Sequence, residues 1–190
     1  DTVVRNAADS AIVTVEGTEH FNVIDNNFVA GVTTAKGRSF AGAFWFRGAN
    51  NYVRNNVAVN VYTTDVESAY GYTYYAERLG NVRMPNYKGA DINVAGQYTV
   101  VDGNAQRILE FDNNEVYASE SGLTTWWINT FGNTARNGGT SVIRNLKVWH
   151  AFRHSYYGYD ANDFLFDGLV IRGNTSILSN PYEADWGMYF

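Results

Sequence analysis

The sequence predicts an all-β fold, a three-stranded parallel β-helix solenoid of about five to six coils with one long insertion. Three observations predict it. First, an apolar residue, a charge and then Asn or Gly recur together: Ile24-Asp25-Asn26, Val53-Arg54-Asn55, Phe111-Asp112-Asn113, Ile143-Arg144-Asn145 and Phe166-Asp167-Gly168. Second, the charge changes sign at every step, Asp, Arg, Asp, Arg, Asp. Stacked residues have a reason to alternate, because opposite charges on adjacent strands attract. Third, short runs rich in Val, Ile, Tyr, Phe and Trp, bounded by Gly and Asn, recur in phase with this motif.

Each coil resolves into three short strands. Aliphatic strands fall at 28–32, 57–62, 115–118, 147–152 and 170–171. Aromatic strands fall at 42–47, 71–77, 122–129 and 155–160, each ahead of a charge motif. Within the motif, Ile24, Val53, Phe111, Ile143 and Phe166 are expected to point inward and stack. Asn and Gly suit the tight turn that follows, since they tolerate unusual backbone angles. Asn26, Asn55, Asn113 and Asn145 are expected to stack there, with side-chain amides bonding from coil to coil. No amphipathic helix is present.

The charge motifs are 29, 58, 32 and 23 residues apart. The long step holds either an extra coil or an insertion. An extra coil would put Arg54 two steps from Asp112 and spoil the alternation, so an insertion is expected. It is placed at 78–106, where Gly80, Pro85, Gly89, Gly96 and Gly103 break the pattern. Insertions in solenoids gather on one face, often the binding face.

The stretch Gly42-Ala43-Phe44-Trp45-Phe46-Arg47, continuing to Tyr52-Val53-Arg54-Asn55-Asn56-Val57-Ala58, resembles right-handed parallel β-helix repeat proteins of the pectin-lyase-like superfamily. It is similar to β-helix regions of large secreted or surface proteins, some of them similar to hyaluronan-degrading cell-surface proteins. The resemblance implies a right-handed β-helix over the whole chain, an extracellular or cell-surface location and a polysaccharide or glycan partner. It does not select an activity, because this architecture hosts lyases, hydrolases, epimerases, tailspikes and adhesins. No catalytic signature of one family carries over.

The 190 residues make one domain, with 45% apolar and 17% charged residues. A net charge of −5 gives no electrostatic reason to bind nucleic acid. Without Cys there is no disulfide or thiolate site. No membrane-spanning run and no signal peptide appear. Asp1 opens in structured-looking sequence, and Trp186 to Phe190 resemble the aromatic strand of an unfinished coil. The chain is therefore expected to be a piece of a longer protein, or to stack on flanking domains or another chain.

Side-chain alternation sends Arg47, Glu77, Asn129 and Asp160 outward as a polar column. Two residues earlier, Trp45, Tyr75, Trp127 and Gly158 share that face. Three aromatics beside hydrogen-bonding groups suit a polysaccharide: ring faces stack on sugars while polar groups take the hydroxyls. The alternative is a structural aromatic stack covered by the insertion. A second cluster runs from Trp149 to Asp160. It offers His150, Arg153, His154 and Tyr157 as acid, base and carboxylate-neutralising cation for an elimination or hydrolysis. The alternative there is a polar turn. His20 stands alone and is read as structural.

The acidic residues Asp160, Asp163 and Asp167, with Asn162, lack the spacing of a calcium loop. No metal site and no cofactor are expected, for want of a phosphate-cradling glycine motif, Cys or a His pair at metal spacing. Asn174-Thr175-Ser176 is a glycosylation sequon. Three functions follow. The first is a carbohydrate-interacting module of a larger extracellular protein. The second is a polysaccharide lyase or glycoside hydrolase. The third is a structural spacer or assembly unit.

Overall fold

The computed structural model describes residues 1–34, 40–64, 69–130, 139–173 and 187–190. The sequon at 174–176 and Trp186 lie outside the described residues. The first strands are β1 (Thr2–Ala8), β2 (Ile12–Thr14) and β3 (Val23–Asp25). They are followed by β4 (Asn27–Thr34), β5 (Gly42–Phe46) and β6 (Tyr52–Arg54), then β7 (Val57–Thr63) and β8 (Tyr70–Tyr75). Next come β9 (Asn81–Pro85), β10 (Tyr98–Asp102), a 3-10 turn at Gly103–Ala105 and β11 (Glu110–Asp112). The remaining strands are β12 (Glu115–Tyr117), β13 (Ser121–Trp126), β14 (Ser141–Arg144), β15 (Lys147–Ala151), β16 (Tyr156–Tyr159), β17 (Phe164–Asp167), β18 (Val170–Gly173) and β19 (Met188–Tyr189).

Apart from β9 and β10, these strands fall in strict rotation into three parallel sheets. The aliphatic sheet orders β1-β4-β7-β12-β15-β18, the aromatic sheet β2-β5-β8-β13-β16-β19, and the ladder sheet β3-β6-β11-β14-β17. Each circuit of the chain thus adds one strand to each sheet, beside the strand laid down one circuit before. No helix among the described residues is long and apolar enough to cross a membrane.

The charge motifs align as expected. Asp25, Arg54, Asp112, Arg144 and Asp167 are successive partners across the ladder sheet. The apolar residues before them align too; Ile24, Val53, Phe111 and Ile143 are buried and Phe166 is half-buried. Arg54 and Asp112 sit on adjacent strands, so the long step holds an insertion. The Arg54 guanidinium bonds Asp25 and Glu110, each at 3.0 Å, and Arg144 lies 3.7 Å from Asp167. Asp112 instead accepts the Asn145 amide at 2.8 Å. The alternation survives, but one of its pairings passes to Glu110.

Asn26, Asn55, Asn113, Asn145 and Gly168 all take left-handed φ between 50° and 72°. That common angle explains the residue choice, since Gly and Asn pay least for it. Of the amide bonds expected along this column, Asn113 donates to Asn55. Asn55 and Asn145 donate to the ladder carboxylates Asp25 and Asp112. The continuous amide ladder runs one residue later, through Asn27, Asn56 and Asn114, and it is buried. Asn27 donates its side chain to Asn56 Oδ1 at 2.8 Å, and Asn56 donates to Asn114 Oδ1 at 3.0 Å. Leu146 takes the next position and is fully buried.

The insertion is an antiparallel hairpin, β9 against β10. The 3-10 turn after it is stitched back into the body. Buried Asn104 donates to the carbonyls of Ala76 and Trp127, and accepts from Gly80 N–H. Gln106 accepts the Asn50 amide at 3.1 Å. The chain re-enters the ladder sheet through these polar contacts rather than as a loose loop.

Candidate functional site

Buried aromatic layers fix the register of the aromatic sheet. Ile12, Phe44, Tyr72, Leu123, Tyr156 and Met188 form one inward row, and Thr14, Phe46, Tyr74, Thr125 and Gly158 the next. Phe44 stacks on Tyr72 at 4.8 Å, and Phe46 packs tilted on Tyr74 at 4.9 Å. The inward position 158 takes Gly because a Cβ there would lie 2.7 Å from the Tyr156 hydroxyl. That hydroxyl is paired with Thr125 Oγ1 at 2.7 Å.

Alternation then sends two rows outward: Val13, Trp45, Thr73, Thr124, Tyr157 and Tyr189; and, after Arg47, Tyr75, Trp126 and Tyr159. Trp45, Tyr75 and Trp127 therefore do not form one column. Trp45 is two positions out of step with Tyr75, and Trp127 follows Trp126 at a left-handed turn with φ 60°. The sequence alignment was anchored on Arg47, Glu77, Asn129 and Asp160, but the strands end at different points relative to the core. The buried rings, not the polar ends, set the register.

The outward rings still make a connected run. Trp45 and Tyr75 are 6.2 Å apart, Tyr75 and Trp126 6.2 Å, and Trp126 and Tyr159 4.1 Å with near-parallel planes. Tyr157 stacks on Tyr189 at 5.0 Å. Phe40 lies across the middle, 5.4 Å from Tyr75 and 4.4 Å from Trp126. The central rings are thus committed to one another. Tyr159 is 42% exposed, and Trp45 is half-buried. Beside Trp45 lies a groove of about 330 Å³, walled by Val13, Val15 and Ala41 with Asp9 and Ser10 at its rim.

Two expected polar residues join this face. Arg47 lies 5.5 Å over the Tyr75 ring and donates to the carbonyls of Tyr75 and Glu77. Glu77 accepts the Tyr75 hydroxyl at 2.5 Å. Burial and the Glu77 carboxylate push the Tyr75 pKa up to about 12. The other two do not join it as drawn. Asn129 is buried and donates to Asn162 O and Asp163, one circuit further along the chain. Asp160 is exposed at a left-handed turn just past Tyr159.

His150, Arg153, His154 and Tyr157 are divided among different surroundings. His150 is exposed in the aliphatic sheet, at φ 55°, following Trp149 as Ala118 follows Tyr117 and Asn60 follows Val59. This left-handed row is a bulge of the sheet and accounts for His150 locally. Arg153 bonds the buried Glu120 at 3.1 Å, whose other oxygen accepts Thr63 N–H. Burial raises the Glu120 pKa. His154 is buried, and burial beside Arg153 pushes its pKa down to about 4. Only Tyr157 belongs to the outward aromatic face, with the His154 ring 5.3 Å away. His20 is buried next to Phe21, and burial lowers its pKa. Among the described residues no three His, Asp or Glu side chains are placed to hold a metal ion.

Sequence reading missed Trp126, Tyr159 and Phe40. A usable signal was present for the first: Gly71-Tyr72-Thr73 and Gly122-Leu123-Thr124 align the two strands and bring Tyr75 opposite Trp126. Phe40 sits in a turn outside any strand and gave no periodic signal. No protein-family model, curated protein or solved structure matches the chain.

Proposed function

We propose that the chain is a right-handed parallel β-helix of pectin-lyase-like type, acting as a carbohydrate-interacting module of a larger extracellular protein. The rotation through three in-register parallel sheets supports the architecture, and parallel crossovers are almost always right-handed. The outward face of the aromatic sheet is the contact surface. The observation that carries this reading is the connected run from Trp45 to Tyr159, opening at one end into the Trp45 groove. Contiguous surface aromatics mark interaction sites, and rings flanked by Arg47, Glu77 and Asp160 match the mixed apolar and hydroxyl chemistry of a sugar. Trp45 and Tyr159 supply the open ring faces, while the covered central rings hold them in place. A polysaccharide array probed with the protein tests the proposal. Binding to at least one polymer is expected, weakened about tenfold or more by Tyr159→Ala. An array without a bound polymer removes it.

A further inference from the structure

We propose that the aromatic face selects neutral polysaccharide over uronic polymers, with the Glu77 carboxylate accepting sugar hydroxyls beside Tyr75. This rests on the glycan reading above and narrows it. Glu77 is held in place from two sides. Its Oε2 accepts the Tyr75 hydroxyl, and its Oε1 lies 3.5 Å from Arg78 Nε. The side chain keeps a quarter of its surface exposed. A carboxylate has about four acceptor positions, so acceptor capacity remains for a ligand. Hydroxyl donation to a carboxylate is charge-assisted and stronger than between neutral groups.

Among the described residues, the two cations beside Tyr75 are already engaged. Arg47 turns both terminal nitrogens inward, donating to Tyr75 O at 3.0 Å and Glu77 O at 2.7 Å. Arg78 is 83% exposed and pairs with Glu77 itself. Carboxylates meanwhile line the run: Glu77 beside Tyr75 and Asp160 past Tyr159. The whole chain carries −5. A polyanion laid along the rings meets like charge at both, and a neutral chain does not.

Affinity electrophoresis of the intact chain through gels holding dextran, mannan, β-glucan, alginate or polygalacturonate tests this, at low and high salt. Retention by a neutral polymer, unchanged by salt, is expected. Glu77→Gln removes the charge and keeps the shape. It should weaken that retention about tenfold, with an unchanged circular dichroism spectrum. Retention by alginate or polygalacturonate alone, falling as salt screens it, overturns the selectivity and leaves the glycan reading standing. Full retention by a folded Glu77→Gln variant overturns the role of Glu77. No retention by any polymer overturns both readings.

Discussion

Asn55 and Asn56 are neighbours with different work. Asn55 is half-buried at a left-handed angle and bonded to Asp25 and Asn113, so Asn55→Gly should cost about 1 kcal/mol from the lost hydrogen bonds, and Asn55→Ala about 1 kcal/mol more from backbone strain. Asn56 is fully buried. Its Oδ1 accepts both Asn27 N–H groups, and its own amides donate to Asn114 Oδ1 and Ile24 O. Asn56→Ala strands several buried groups at once and should cost about 3 kcal/mol in urea unfolding. The core tyrosines make a second contrast. The Tyr72 hydroxyl donates to Asn56 O at 2.7 Å, whereas the Tyr74 hydroxyl is buried with no partner among the described residues. Tyr72→Phe should lower stability by about 1 kcal/mol, and Tyr74→Phe should leave it unchanged or raise it. His154 gives a pH signature. Its folded pKa is depressed, so the unfolded chain binds its proton first. Stability present above pH 6.5 is lost as pH falls toward about 4. Buried His20 acts in the same direction. His154→Gln should therefore flatten, without abolishing, the fall in melting temperature between those two values.

At the scale of elements, the ladder strands carry the most decisive core positions. Phe111 is buried against Tyr72 and Tyr74, with ring centroids at 5.2 and 6.2 Å. Phe111→Ala should cost about 3–5 kcal/mol by denaturant titration. An unchanged midpoint would contradict the packing described. The hairpin β9–β10 is tied down at its base by Asn104, while Tyr87 and Val94 nearer its tip are exposed. Shortening the tip should matter little, and Asn104→Ala should matter more. Much of this organisation was legible in the sequence. Asp25, Arg54, Asp112, Arg144 and Asp167 gave both the register of the ladder sheet and the place of the insertion. The aromatic face was legible only in kind. Its register depends on which rings are buried, and Tyr74-Tyr75 and Trp126-Trp127 each offer two adjacent aromatics of which one faces outward in the strand. The hairpin was hidden because its strands pair with each other and share no period with the repeat.

At the scale of the whole molecule, the outward surface follows from rotation through three sheets. Each circuit repeats the same outward positions one strand further along, about 4.8 Å away, so a modest local motif becomes an extended surface. The register can be trapped chemically. The chain has no Cys, and Arg54 and Asp112 are direct partners on adjacent strands. An Arg54→Cys, Asp112→Cys pair falls within disulfide reach and should cross-link in the folded state but not in urea. The surface itself is tested most directly by comparing two tryptophans in one polysaccharide-binding titration. Trp45 belongs to the outward run and walls the groove, whereas Trp127 lies past the strand end at a left-handed turn. The account predicts that Trp45→Ala loses at least about tenfold in affinity and that folded Trp127→Ala binds like the wild type. Loss confined to Trp127→Ala, with Trp45→Ala binding normally, would contradict it.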